Sequence, residues 1–549
     1  MTGPQTHLDV NLADLVGAIA EAMPERCALV CDGERLSYAQ LMARGRQVAR
    51  HLIGAGVEPD QTVGLYMLNS AAYVEVMLGC MLARAIPVNI NYRYTGNELS
   101  YLFAGASLAA LVVDAEHAGL AAEVAPGCPS LRHVLVVGGE PGAASFPATV
   151  TVLNYAGAVG ATADDQVALE NGRSGDDKLI IYTGGTTGLP KGVLWRHEDF
   201  YFSALAGGNH YGAPRLSVEE IVAAAAQVPN GGYLITAPLM HGAGTYTLFT
   251  ALLLGAKVVI SRKFDAAQTL RLVKDEQAMT IAVVGDAMAR PLADELAAHP
   301  GEYDLSSLFV LGSGGALLSA SVRSQLQAMY PNLYITDRFG ASETGTDGQL
   351  ERGDDGRSRL AHAGNVQVLD EALRPVAPGG TGRIAKSGHV PLGYYGDEAA
   401  TRATFPVIDG VRWALLGDLA AVTGDNAIVV LGRGSTCINT GGEKVFPEEV
   451  EQALKAHPAV LDALVAGVPD ERYGERVAAV VQLRTAAGAG AAGIGAGAVG
   501  IGAEALREHC RATIAGYKVP SRIEFVPQLV RSPSGKADYR WARRVLTGT

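Results

Sequence analysis

Short apolar runs alternate with stretches of helical spacing along most of the chain, and this alternation constrains the fold more than any other feature. Residues 37–55 set Leu41, Val48 and Leu52 at helical spacing. Residues 62–66 read as a short apolar strand, 71–83 return to helical spacing, and 86–90 are strand-like again. Further strand-like runs follow at 110–113, 134–137, 178–182, 257–260, 281–285 and 308–311, mostly with helical segments between. Such alternation predicts α/β layers around a largely parallel sheet. From about 345 to 431 the chain becomes Gly-rich, with short strands at 364–369, 382–386 and 427–431, which predicts a small β-rich subdomain or barrel. After Gly432 compact α/β patterning returns: helix 447–456, strands 460–468 and 476–483, helix 503–513 and strand 522–525. That second unit has the size of an ordinary small domain.

The length of 549 residues suits roughly three to four average domains. A hydrophobic share of 48% and a charged share of 18% describe a globular chain with a large core. The net charge of −12, without a basic stripe and interleaved aromatics, argues against a nucleic-acid partner. A polyanionic substrate would need Lys and Arg gathered locally. Cys27, Cys31, Cys80, Cys128, Cys437 and Cys510 lack metal-ligand spacing, so free thiols in a reducing compartment are expected. Residues 1–11 carry no secretory pattern, and the apolar window 248–260 is interrupted by Lys257 and too short to span a bilayer. A soluble cytoplasmic protein with no integral membrane segment is expected. Residues 485–502, rich in Ala, Gly and Ile, read as a flexible surface loop.

The run Ile181-Tyr182-Thr183-Gly184-Gly185-Thr186-Thr187-Gly188-Leu189-Pro190-Lys191-Gly192-Val193 carries the clearest chemistry. Glycines let backbone N–H groups turn toward an anion, threonine hydroxyls add donors, and Lys191 adds a compact positive charge. This is a loop suited to a polyphosphate. It is not the Walker pattern, because Pro190 precedes Lys191 and no Ser or Thr follows it.

The run resembles the phosphate loop of the adenylate-forming superfamily, which includes acyl-CoA synthetases, luciferases and peptide-synthetase adenylation domains. Gly184 stands where that family usually has Ser. The resemblance extends in order along essentially the whole chain. Pro238-Leu239-Met240-His241-Gly242 matches the segment in which His241 borders and gates the acyl pocket, and 233–241 contains no acid to anchor an amino-acid ammonium. Gly314, Gly315 and Ala316 match the turn lining the adenine and acyl sites. In Asp337-Arg338-Phe339-Gly340-Ala341-Ser342-Glu343, the likeness has Phe339 stack on adenine, Ser342 bond the α-phosphate and Glu343 hold Mg²⁺. Asp418 matches the ribose-binding Asp, and Arg433 follows it. Ser435 replaces the usual Asp or Lys at the swivel. Gly441, Gly442 and Glu443 match the pantetheine-tunnel block. Lys536, after Ser534-Gly535, matches the catalytic Lys that bridges the substrate carboxylate and the α-phosphate.

The resemblance implies a large N-terminal AMP-binding domain, 1–432, of layered α/β subdomains with a β-barrel-like subdomain at about 345–431. It also implies a small mobile C-terminal α+β domain, 433–549. Lys536, Glu343, Thr186 and His241 are the expected catalytic residues. ATP, Mg²⁺ and coenzyme A are held by Thr183, Gly184, Gly185, Thr187, Gly188, Lys191 and the residues named above. The implied reaction forms acyl-AMP and pyrophosphate, then acyl-CoA and AMP after the small domain rotates.

Thr183–Gly188, Trp195-Arg196-His197-Glu198-Asp199, Gly285-Asp286-Ala287-Met288-Ala289-Arg290-Pro291 and 532–540 look like actinobacterial fatty-acid and steroid side-chain CoA ligases. A pocket around 241–247, 287–288 and 314–316 is apolar with small residues, which suits a bulky hydrophobic acid. The partners are then a carboxylic acid, ATP and CoA, with a homodimer as an open assembly state. Rival readings are an acyl-AMP ligase that loads a carrier protein, a non-catalytic nucleotide-binding relative, and an oxidative luciferase.

Overall fold

A computed structural model describes residues 7–160, 169, 172–183, 189–316, 318–353, 358–361, 364–440, 443–470, 473–484, 501–531 and 536–548. Two large sheets and one small sheet organise these residues. In the 8-stranded sheet, Thr62–Tyr66 lies between Ile86–Asn89 and Ala110–Asp114, all parallel, with His133–Val137 and Thr151–Asn154 continuing outward. Every residue of Thr62–Tyr66 is buried, as expected for a parallel strand with both faces covered. On the other side, Lys178–Thr183 pairs with Lys191–Arg196 as an antiparallel hairpin, which Gly393–Tyr394 extends.

The 14-stranded sheet begins as parallel α/β, with Lys257–Ile260, Gly232–Ile235, Ala278–Val283, Val310–Gly314 and Tyr334–Ala341 side by side. It turns antiparallel at the hairpin of Tyr334–Ala341 with Gly345–Arg352 and continues through Ser358–Leu360, Ile428–Arg433, Val411–Val422, Thr381–Ser387 and Val366–Leu369. The expected β-rich region is this antiparallel layer. Its described strands follow an open order and enclose a core of Leu360, Val366, Val368, Ile384, Leu416, Ala420 and Ile428.

Helix starts follow local capping. Ser37 and Gln40 form a reciprocal capping box before Tyr38–Gly54, and Ser70 caps Ala71–Leu82. Residues 72–82 of that second helix are all buried, so its sequence shows no polar face. The third sheet has 5 strands, including Val460–Asp470, Gly474–Leu483 and Arg522–Phe525. Helices Pro447–Lys455, Ala503–Arg511 and Tyr539–Thr547 pack on it over two small cores. Pro447 opens its helix, Glu448 and Glu449 occupy the first turn, and Lys455 sits in the last, an order that suits the helix dipole.

The strand expected at 308–311 lies at Val310–Gly314 instead. Gly312, Ser313 and Gly314 look like a turn, yet they pair with Ala282 and Val283 on one side and with Thr336, Asp337 and Arg338 on the other. The bend starts at Gly315, whose φ of +79° favours glycine. All six cysteines are free thiols. Among the described residues, no helix is long and apolar enough to cross a membrane.

Candidate active site

The polyphosphate-type loop springs from a hairpin mouth. Thr183 pairs with Lys191, and the loop residues Gly184, Gly185, Thr186, Thr187 and Gly188 lie outside the described residues. Asn89 holds one side of the mouth. Its Oδ1 accepts from the Tyr182 N–H at 2.7 Å, while its Nδ2 donates to the carbonyls of Tyr182 and Met240. One buried side chain therefore ties the loop strand to the residue before His241.

Lys191 Nζ lies 4.9 Å from the centre of the Tyr394 ring. The Tyr394 hydroxyl donates to Glu343 Oε1 at 2.9 Å. Burial, followed by the Glu343 charge, pushes the Tyr394 pKa up, so it stays a donor. Lys191, Tyr394 and Glu343 thus sit together beside the loop mouth, a cation and a half-buried carboxylate linked through one phenol.

The turn carrying Ser342 and Glu343 is pinned from several sides. The Ser342 carbonyl accepts from Trp195 Nε1 at 3.0 Å. The Thr344 carbonyl accepts from Ser203 Oγ at 2.7 Å and from Lys386 Nζ at 2.8 Å, and Lys386 also donates to the Thr346 carbonyl. Lys386 pairs with Asp347 at 3.3 Å, and Thr344 Oγ1 donates to Asp347 Oδ2 at 2.6 Å. Gly345 has φ +75°, and a Cβ there would stand 2.8 Å from the backbone of Ser203 and Ala204. A Cβ at Gly340 would meet the Gly345 carbonyl at 2.0 Å. Neither position accepts another residue without moving backbone.

His241 stands at the N-cap position of the helix Gly242–Leu253, with no capping bond from its side chain. Burial, then the charges of Lys536 and Arg93, push its pKa down to about 3, so the ring is neutral at physiological pH. Its Nε2 is buried without a hydrogen-bond partner among the described residues. Lys536 is exposed on the small unit, and its charge is one of those that lower the His241 pKa. Arg531 and Ala537 form a β-bridge at the base of the hairpin carrying Lys536.

The other expected positions divide. A Cβ on Gly315 would reach 3.6 Å from that of Ala243, so the Gly314-Gly315-Ala316 bend does border the segment after His241. Phe339 packs on the antiparallel core, and Gly340 follows it in the strand. Asp337 is buried, and Arg338 Nη1 lies 3.0 Å from His210 Nδ1, with its guanidinium 5.6 Å from the Tyr211 ring centre. Asp418 pairs in register with Arg433, and its charge is among the influences that raise the Asp347 pKa. Glu443 is exposed on the small sheet, and no hydrogen bond among the described residues links it to that turn. Gly441, Gly442 and residues 532–535 lie outside the described residues, as do 485–500.

A cavity of about 720 Å³ opens between the large and small units, lined by Thr236, Pro238, Ala287 and Met288 on one side and Gln482 and Leu529 on the other. Of the expected apolar pocket it includes 287–288 but none of 241–247 or 314–316, and Arg93, Arg262, Asp286 and Arg531 share its wall. The segment Trp195–Asp199 acts as scaffold. Arg196 forks onto Asp199, Asp199 also holds His389, and His197 Nδ1 accepts from the Leu12 N–H at 3.2 Å.

Sequence reasoning missed Asn89, Tyr394 and Lys386. The run Gly393-Tyr394-Tyr395-Gly396 was a signal for Tyr394, since paired glycines around aromatics mark a close approach. Nothing local marks Asn89 or Lys386.

The sequence profile described as AMP-binding enzyme matches residues 18–395, and that of the AMP-binding enzyme C-terminal domain matches 449–536. A medium/long-chain-fatty-acid–CoA/3-oxocholest-4-en-26-oate–CoA ligase of Mycobacterium marinum is 43% identical, over 97% of this chain and 96% of that relative. A 3-oxocholest-4-en-26-oate–CoA ligase of Rhodococcus rhodochrous is 41% identical, over 97% and 95%. Among solved structures, an anthranilate CoA ligase in complex with anthranoyl-AMP superposes with a TM-score of 0.81 at 24% identity, over 99% of each chain.

Proposed function

Because the chain belongs to the AMP-binding enzyme family, we propose that it is an ATP-dependent ligase joining a hydrophobic carboxylic acid to coenzyme A. The acid is a medium- or long-chain fatty acid or a sterol side-chain carboxylate, as in the names of the relatives covering nearly all of the chain. One structural observation carries the reading: Lys191, Tyr394 and Glu343 assemble at the loop mouth.

In the first step a carboxylate oxygen attacks the α-phosphorus of ATP. A mixed anhydride bond between the carboxylate oxygen and the α-phosphorus forms, and the bond from that phosphorus to pyrophosphate breaks. Thr183, Lys191 and the loop between them hold the leaving pyrophosphate. Lys536 offsets the charge that builds between carboxylate and α-phosphate. Phe339 supports adenine, Asp418 accepts from the ribose hydroxyls, and Ser342 bonds the α-phosphate. Glu343 is a hard oxygen donor oriented by Tyr394, so its chemistry suits Mg²⁺. When bound, that ion supplies charge neutralisation on the phosphates. His241 adds no charge to the apolar pocket, which keeps it fit for an alkyl or sterol body.

In the second step the small unit, 433–549, turns about Ser435. Lys536 leaves, Gly441–Glu443 arrive, and the CoA thiol attacks the acyl carbon, breaking its bond to AMP. Every assigned residue lies in one chain, so a homodimer and a monomer serve the reaction equally. Six free thiols suit the cytoplasm.

The test is AMP release with and without CoA, across medium- and long-chain fatty acids and sterol side-chain acids. The proposal expects CoA-dependent release with at least one such acid. Release indifferent to CoA supports the carrier-loading alternative instead.

A further inference from the structure

The motif Gly285–Pro291 contributes Ala287, Met288 and Pro291 to the cavity wall together with Asp286 and Arg290, and these two charged residues serve no substrate role named above. Asp286 and Arg290 are buried on the helix Gly285–Ala298. Asp286 Oδ1 accepts from the Ser319 N–H at 2.7 Å, and its Oδ2 accepts from Lys455 Nζ at 3.2 Å. Lys455 belongs to the small unit, and both side chains are almost fully buried, at 3% and 4% exposure. This is a charge pair sealed between the two parts of the molecule. Lys455 Nζ lies 4.0 Å from Asp462 Oδ1, and Arg531 grips Asp462 with a two-pronged fork at 2.7 and 2.8 Å. Arg531 is also half of the β-bridge that closes the hairpin carrying Lys536. A continuous ionic chain thus runs from the large unit to the base of the hairpin that presents Lys536.

A buried ion pair adds little net stability, because desolvation offsets the attraction, but it is strongly specific for the one arrangement that aligns it. Separating the two units would return both charges to water and release that specificity.

We propose that Asp286, Lys455, Asp462 and Arg531 form a latch of positioning residues that seats the small unit where Lys536 reaches the adenylation site. The latch biases the enzyme toward the first half-reaction, and its release is part of the turn that permits the second. This inference rests on the two-step ligase reading above.

The experiment compares three variants, Asp286→Asn, Lys455→Met and the double variant, with the parent protein. Two rates are measured separately: carboxylate-dependent ATP–pyrophosphate exchange, and thioester formation from supplied acyl-AMP and CoA. The latch predicts that each single variant lowers exchange about tenfold or more while thioester formation is unchanged or faster. It also predicts that the double variant loses little beyond either single one. Equal loss in both half-reactions, or no loss in either, overturns the latch. If Asp286→Asn folds poorly, Lys455→Met and Arg531→Lys give the same comparison from the other unit. Absence of exchange in the parent protein would instead overturn the ligase reading, so the two failures are distinguishable.

Discussion

Replacing Lys386 by Met tests how the Glu343 turn is held. Lys386 and Asp347 have side-chain exposures of 4% and 0%, so the ion pair between them has no water to replace a lost partner. Burial raises the Asp347 pKa above the ordinary carboxylate value, and Lys386 is the main group opposing that rise. Lys386→Met therefore strands a buried carboxylate, at a cost of about 3–5 kcal/mol. The Thr344 carbonyl keeps its Ser203 bond, but the Thr346 carbonyl loses its Lys386 donor. Because Ser342 and Glu343 ride on this turn, a shift of ~1 Å would slow exchange on the order of 100-fold. Denaturant titration with intrinsic fluorescence, alongside pyrophosphate exchange, reads both effects. Adding Asp347→Asn removes the stranded charge and should recover part of the stability. The pH dependence has a fixed sign. Without Lys386 the Asp347 pKa rises further, protonation neutralises it, and the deficit against the parent narrows as the pH falls. An unchanged denaturation midpoint in Lys386→Met, or a double variant no more stable than the single one, would refute this reasoning.

Two further predictions concern single contacts. Tyr394→Phe removes the 2.9 Å bond to Glu343, a hydrogen bond to a charged group worth about 1.5–3 kcal/mol. The Mg²⁺ concentration for half-maximal exchange should rise roughly tenfold or more, and an unchanged value would show that Tyr394 does not orient Glu343. His133 is buried with its Nε2 2.8 Å from that of His51, and burial, then His51, lowers its pKa from 6.5 to about 4. Its neutral form favours the folded state, so its share of stability is intact above about pH 6.5 and is lost as pH falls toward 4, at up to about 1.4 kcal/mol per pH unit. His133→Gln should flatten the acid limb of the midpoint-against-pH curve; identical slopes would contradict the assignment.

The parallel strands were legible because strands buried on both faces read as unbroken apolar runs, as 110–113 and 258–260 do. Val310–Gly314 was displaced because local turn preference at Gly312-Ser313-Gly314 yielded to pairing on both sides. Glu343, His241 and Lys536 could be picked out because each sits in a distinctive short pattern. Their supports could not, because those contacts join residues far apart in sequence: Asn89 to Tyr182 across 93 positions, Tyr394 to Glu343 across 51, and Lys386 to Thr344 across 42. The charged half of Gly285–Pro291 looked like a subgroup marker and gained a physical role only when Lys455 was seen against Asp286.

The central claim is that Lys536 serves acyl-adenylate formation and not thioester formation. The direct measurement is carboxylate-dependent ATP–pyrophosphate exchange by Lys536→Ala, beside thioester formation by the same protein from supplied acyl-AMP and CoA. The account predicts that exchange falls on the order of 100-fold or more, as when one transition-state donor is removed, while thioester formation persists near the parent rate. Undiminished exchange in Lys536→Ala would contradict it.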